Sequence, residues 1–249
     1  MNNNMMRAAV MVTSLVLAGN VFGQIAEDSA SNYSPPTWGD GTNEGFGFGA
    51  WSLSSTGDGG SYFGNVGGGA IDPAFAIFSG GTGTSSVSRT FSSSLTAGDT
   101  FSFDLAHSTN ISSSGGEIGF QLINSGDVAI TWKFVGGGSA WTMNDGGAGG
   151  DFGAGQLYAA NQVLQFSFTY LGNNDYSYTF GTGSGSNFTS TNTISSINEF
   201  RFYSNNQGSG DNFGVDNLTV IPEPSSIIMM ALAGLAAGGL TVLKRRKQS

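Results

Sequence analysis

Between residues 43 and 221 the chain alternates short apolar runs with clusters of Gly, Ser, Asn and Asp. Ten runs stand out, at 46–53, 74–78, 86–91, 100–105, 117–123, 128–135, 162–171, 175–180, 199–203 and 213–220. In the run 100–105, Phe101, Phe103 and Leu105 fall on one face; in 165–170, Phe166, Phe168 and Tyr170 do the same. Side chains along a strand point alternately to opposite faces, so a period of two predicts strands with one buried and one wet face, the antiparallel pattern. Outside the two termini no stretch of helical length has a 3.6-residue period. Asn124-Ser125-Gly126-Asp127 and Gly172-Asn173-Asn174 join neighbouring runs. Gly and Asn tolerate the positive φ of tight hairpins, so both read as hairpin turns. Strands of this number and spacing predict an all-β, antiparallel β-sandwich of jelly-roll type over 43–221. The chain has no repeat of fixed period, which argues against a β-helix or propeller. Residues 24–42, polar and carrying Pro35-Pro36, read as a leader or edge segment.

The two ends break this pattern. Arg7 is followed by an apolar run at 8–19 and then Asn20-Val21-Phe22-Gly23. One charge, about a dozen apolar residues and small residues at a cut site describe a secretory signal peptide, 1–23, removed by signal peptidase after Gly23. At the other end an uncharged apolar run at 227–243 precedes Lys244-Arg245-Arg246-Lys247. Such a run forms a transmembrane helix of roughly 25 Å, short but able to span, with the basic cluster holding the tail in the cytoplasm. Ahead of it Pro222-Glu223-Pro224 stays extended, because proline fixes φ, lacks an N–H and biases the preceding residue away from helix.

This order of parts at 222–249 resembles the PEP-CTERM sorting signal of Gram-negative bacteria, with Ile221 where that family usually carries Val. The resemblance implies recognition by exosortase, a membrane-embedded Cys protease-like enzyme. It also implies removal of the tail near Pro222, Glu223 and Pro224 and passage to the cell surface or extracellular matrix. The expected partners are the export machinery, signal peptidase, exosortase and extracellular polysaccharide. The middle of the chain looks like the ectodomains that precede such tails, and its closing run 213–220 resembles the last strand of extracellular jelly rolls. Carbohydrate-binding modules share that fold, which brings in sugar binding by analogy alone.

Charge and composition narrow the chemistry. Eight Lys and Arg stand against seventeen Asp and Glu, a net charge of −9. Five of the eight bases sit at the ends, leaving Arg89, Lys133 and Arg201 for the whole middle. Nucleic-acid binding needs the opposite sign. Without Cys and with one His, thiol catalysis, disulfides and Cys- or His-rich metal sites are excluded. The core must come from nineteen Phe, each contributing about 1.5–3 kcal/mol when buried.

Candidate sites are few. His107, at a strand end, reads as a surface or strand-end residue because no G-x-S-x-G elbow or H-E-x-x-H accompanies it. Most acids sit in turn contexts, whereas a glycosidase needs two carboxylates across a cleft. Residues 146–151, Gly-Gly-Ala-Gly-Gly-Asp, begin like one copy of a calcium repeat that works only when stacked, so they read as a loop. Asp211 and Asp216 are candidates for a structural calcium. Trp38, Tyr62, Phe63 and Trp141 lie beside Gly-rich loops, where a ring stacks on a sugar or caps the sandwich. The sequence therefore predicts a non-catalytic, exosortase-sorted structural protein of an exopolysaccharide or biofilm matrix. The alternative is a carbohydrate-binding jelly-roll module on the cell surface.

Overall fold

The computed structural model describes residues 25–34, 38–108, 115–146, 150–207 and 212–222, and within them the alternating runs become thirteen strands. These are β1 (Ala26–Asp28), β2 (Ser52–Val66), β3 (Ile71–Thr90), β4 (Thr100–His107), β5 (Glu117–Asn124), β6 (Asp127–Val135) and β7 (Ala140–Asn144). They continue with β8 (Phe152–Leu157), β9 (Leu164–Gly172), β10 (Asp175–Phe180), β11 (Gly183–Thr189), β12 (Ile197–Asn205) and β13 (Asn212–Ile221). Every pair whose register is described is antiparallel. Hydrogen bonding runs in the order β11-β10-β9-β4-β13-β3-β12-β5-β6-β7-β8, with β1 on β13 and β2 on β3.

Strand β3 turns this path into two layers. Its residues 75–78 pair with β13, and its residues 84–90 pair with β12. The strand thus leaves one sheet and enters the other, with β2 beside it throughout. The crossing needs glycine. A Cβ on Gly59 would meet the Thr84 carbonyl oxygen at 2.0 Å, and one on Gly83 would meet the Gly59 nitrogen at 2.6 Å. At the far ends of the path β8 meets β11 backbone to backbone, where a Cβ on Gly183 would lie 2.5 Å from the Gly155 carbonyl carbon. The Thr182 N–H donates to Gln156 Oε1 at 2.8 Å beside that contact. The result is a β-sandwich of jelly-roll character. A first sheet contains β11, β10, β9, β4, β13, β1 and the start of β3; a second contains the end of β3, β12, β5, β6, β7 and β8.

Aromatic rings fill the space between. Phe166 of the first sheet lies 4.6 Å from Phe120 and 4.9 Å from Trp132 of the second, both edge-on. Edge-on pairs add about 0.5–1.5 kcal/mol to the gain from burial itself. The two expected hairpins form as anticipated, with positive φ at Ser125 and Gly126 in one and at Asn173 and Asn174 in the other.

The 46–53 run is the main departure from the expected strands. Phe46 and Phe48 make only isolated bridges, to Glu27 and Phe91, and the continuous strand starts at Ser52. Residues 26–34, read from the sequence as leader or edge, pair through β1 with β13 and bury Ala30 and Tyr33. An ion pair holds this segment to β3. Asp28 and Arg89 have fully buried side chains in contact, and the guanidinium lies 5.0 Å from the Phe48 ring and 4.9 Å from the Trp51 ring. Arg89 Nε donates to the Gly49 carbonyl at 2.7 Å, and the Tyr33 hydroxyl donates to Asp28 Oδ2 at 3.0 Å. Burial pushes the Asp28 carboxyl up and the guanidinium facing it draws it back down. The signal peptide at 1–23, Glu223, Pro224, the helix at 227–243 and the cluster Lys244, Arg245, Arg246 and Lys247 lie outside the described residues, as does Asp211.

Candidate functional site

The alternation that sends Phe101, Phe103, Phe166 and Phe168 inward sends Ser102, Asp104, Gln165 and Ser167 outward. Strands β4 and β9 are adjacent in register, with Asp104 opposite Gln165 and Ser102 opposite Ser167. β10 adds Thr179 on one side and β13 adds Asn217 on the other, and together they line a groove of about 410 Å³. Phe103 and Phe166 lie at its floor. Short side chains leave the hollow, and hydrogen bonds between them keep it in shape. Ser167 and Thr179 hydroxyls are 2.7 Å apart, as are those of Ser102 and Thr219.

Asn217 reaches the groove through a break in β13. Residues 212–215 of that strand pair with β3, and 218–220 pair with β1. Between them Asn217 adopts φ 53°, a left-handed conformation that Asn tolerates better than most residues. The irregularity turns Asn217 outward, as bulges do, and its Nδ2 donates to Asp104 Oδ2 at 2.8 Å. Among the described residues the other Asp104 oxygen and the Gln165 amide have no partner.

The second sheet's outer face is built differently. Lys133 Nζ lies 2.7 Å from Asp151 Oδ2 and 4.0 Å from Glu117 Oε2. The Tyr203 hydroxyl donates to Glu117 Oε1 at 2.5 Å. The Tyr203 ring lies against Gly119, where a Cβ would come within 2.7 Å of the hydroxyl. Asp151 is lowered by the hydrogen bond from Lys133. That carboxylate, the last residue of the glycine-rich 146–151 segment, is engaged by Lys133 and by Asn144.

The structure redistributes the candidates. Trp141 alternates inward with Met143 in β7 and is fully buried, 4.9 Å from Phe180, so its ring cannot stack on a glycan at the surface. Trp38 is a core residue too, edge-on to Trp51 at 5.7 Å. Phe63 is half-buried and packed on the core. Tyr62 is also half-buried; its ring leans on Phe78 at 6.2 Å and its hydroxyl donates to the Asn65 carbonyl, with burial pushing its pKa up to about 12. Asp216 is buried, and its Oδ1 accepts the Ala30 N–H at 2.7 Å, so it holds the short 3-10 turn at Ala30–Asn32. Among the described residues no three metal-ligating side chains come together.

His107 ends β4 as expected, but it is buried rather than on the surface. Its ring stacks on Phe134 and lies 4.9 Å from Tyr158 and 6.1 Å from Trp141. Nδ1 lies 3.0 Å from the Ser108 carbonyl oxygen, which can only accept, so Nδ1 carries the proton and Nε2 is a bare acceptor. Burial lowers its pKa.

The groove residues were not singled out from the sequence. The period-two pattern names Ser102, Asp104, Gln165 and Ser167 as outward, but nothing in it says that β4, β9, β10 and β13 are neighbours.

Comparison with known proteins bears on the tail first. Residues 220–247 match the family model of the PEP-CTERM protein-sorting motif. No curated protein matches the chain. Among solved structures, one from work on endo-acting O-glycanases expressed by prominent members of the human gut microbiota to initiate mucin breakdown superposes with a TM-score of 0.53 and 8% identity, over 80% of this chain and 99% of that one. A sialidase superposes with a TM-score of 0.52 and 9% identity over 71% of this chain, which spans only 17% of the sialidase. At such identities the likeness speaks for the fold alone, and it agrees with the sandwich described above. The chain is thus a β-sandwich followed by a PEP-CTERM motif.

Proposed function

We propose that the protein is exported, retained in the inner membrane by its C-terminal apolar run, and released by exosortase to the cell surface or extracellular matrix. There the sandwich serves as a non-catalytic structural component of an extracellular polysaccharide layer. The PEP-CTERM match carries this reading. It begins at Val220, which pairs with Ala26 in the last described rung of β13, so the folded domain runs directly into the motif. Two features support a role without catalysis. Among the described residues Asp104 is the only titratable side chain lining the groove, whereas glycoside hydrolysis takes two carboxylates. The single imidazole is buried among aromatic rings, away from the groove.

The test is the intact mass of the mature protein from cells with and without a working exosortase. The expected result is a chain that loses the tail near Pro222, Glu223 and Pro224 only when the enzyme is present. A chain that still ends at Ser249 in both backgrounds would make the protein an ordinary anchored ectodomain. The groove favours a second reading, a glycan-binding module, since converging hydroxyl, amide and carboxylate groups match what a sugar offers.

A further inference from the structure

We infer that the groove between β10, β9, β4 and β13 binds an uncharged polysaccharide chain, and that the domain rejects polyuronates and other polyanionic glycans. This rests on the reading that the protein acts within a polysaccharide layer, and it names what the groove would hold there.

Three observations carry it. The first is size: about 410 Å³ falls in the range of pockets that take small ligands, ~300–1,000 Å³. The second is the pairing of free groups. Asp104 keeps one carboxylate oxygen without a partner, and Gln165, directly opposite in the β4–β9 register, keeps a free amide. The carboxylate accepts from a hydroxyl while the amide both donates and accepts, so together they suit two neighbouring hydroxyls of a neutral sugar. Asn217 fixes the carboxylate for this purpose, because it donates to Oδ2 and so leaves Oδ1 available to accept from a ligand. Asn217 is thus a positioning residue, held in a left-handed conformation by the switch of β13 from β3 to β1.

The third observation is charge. A uronate or sulfate is ordinarily met by Arg or Lys, most specifically by the guanidinium fork. Between residues 24 and 222 the chain has Arg89, Lys133 and Arg201 and no other Lys or Arg. Arg89 is buried against Asp28, Lys133 sits between Asp151 and Glu117, and Arg201 lies 3.4 Å from Glu199. None of the three lines the groove, where among the described residues the one charged side chain is Asp104, a carboxylate. A polyanion would meet like charge and no cation to offset its desolvation.

The experiment is affinity electrophoresis of the protein as isolated from cells with a working exosortase, in a non-ionic detergent. Native gels are cast with dextran, galactomannan or xylan, and others with alginate or polygalacturonate. At least one neutral polysaccharide should retard the wild type while neither polyuronate does. Gln165→Ala, at an exposed position that supports nothing else, should weaken the retardation about tenfold, the effect of losing one or two hydrogen bonds. Asp104→Ala should weaken it at least as much. Lys133→Ala, on the opposite sheet, should leave it unchanged, and thermal melting of each variant reports whether the fold persists. The inference falls if no neutral polysaccharide retards the protein, if a polyuronate retards it as strongly, or if Gln165→Ala binds like wild type. Intact mass from the same cells separates this outcome from the sorting question. A correctly processed chain that binds nothing sinks the groove inference alone, and an unprocessed chain that binds dextran sinks only the sorting.

Discussion

On the outer face of the first sheet, Ser102, Asp104, Gln165 and Ser167 project outward and leave a hollow. On the second, Glu117, Lys133, Asp151 and Tyr203 project outward and close over the sheet. Both sets occupy the wet positions of period-two strands, so the pattern that builds the core treats them alike. Side-chain length and charge make the difference. Serine and threonine satisfy one another across strands within 2.7–2.8 Å and stay close to the backbone. Long charged side chains reach across to partners, and Tyr203 lies flat where Gly119 has no side chain to lift it. A face that spends its polar groups on itself has little left for a ligand; a face of short residues with one free carboxylate oxygen and one free amide retains something to offer.

The same rule taken to its limit lies inside the molecule, where pairing is compulsory. Asp28→Ala would leave the Arg89 guanidinium buried with one fewer partner, and breaking a buried ion pair from one side costs about 3–5 kcal/mol. Urea unfolding should therefore show the largest loss of any single change discussed here. A loss no greater than that of an exposed pair would mean that residues 26–34 are not held as described. Gly119→Ala comes next. Its Cβ would lie 2.6 Å from the Trp132 carbonyl oxygen and 2.8 Å from Tyr203 Cζ, so Tyr203 must rise from the sheet. Crowding of this kind costs about 1–3 kcal/mol and would hollow the second face without giving it the first face's chemistry. Fluorescence of Tyr203 cannot be singled out among seven tyrosines, so a melting curve, with Gly119→Ala against wild type, is the measurement.

Much of this architecture is legible in the sequence. Phe101, Phe103, Phe166 and Phe168 declare strands and their buried face by spacing alone, and Ser125-Gly126 and Asn173-Asn174 declare hairpins by backbone tolerance. The less legible strands are poor in large apolar residues. β2 and β11 are mostly Gly, Ser, Thr and Asn, and they form because a neighbour supplies the ladder and because glycines let backbones approach where β3 crosses between sheets and where β8 meets β11. Propensity is blind to that cause, which is tertiary. Trp141 is hard to place for a related reason: glycines on both flanks suggest a loop, whereas the β6–β7 and β7–β8 pairings place it in a strand with its ring inward. The groove was invisible because it depends on strand order, and its decisive residue, Asn217, looks like any polar residue in a closing strand until the register switch gives it φ 53°.

Smaller effects sharpen the contrast between interior and surface. His107 is buried and its pKa is lowered from 6.5. As pH falls through 6.5 the unfolded chain takes up a proton that the folded chain still refuses. Stability present above 6.5 is therefore lost between that value and the lower folded pKa. Asp28 and Asp216 act in the opposite sense, since burial raises their carboxyls and acidification favours the fold that protonates them more readily. Urea midpoints from pH 8 to 5, for wild type against His107→Phe, isolate the imidazole. Its share of the slope should vanish in the variant, and an unchanged slope would show that His107 is not held neutral.

Salt draws the finest line between the two faces. The Lys133–Asp151 contact is partly exposed, so a double-mutant cycle should give only about 0.2–1 kcal/mol, shrinking further in molar salt as screening shortens the range of charge. Retardation by a neutral polysaccharide depends on hydrogen bonds from Asp104 and Gln165 to uncharged hydroxyls, so the same salt should leave it nearly constant. If salt abolishes both, the first face is working through charge after all, and the distinction between a self-paired surface and an open one loses its chemical basis.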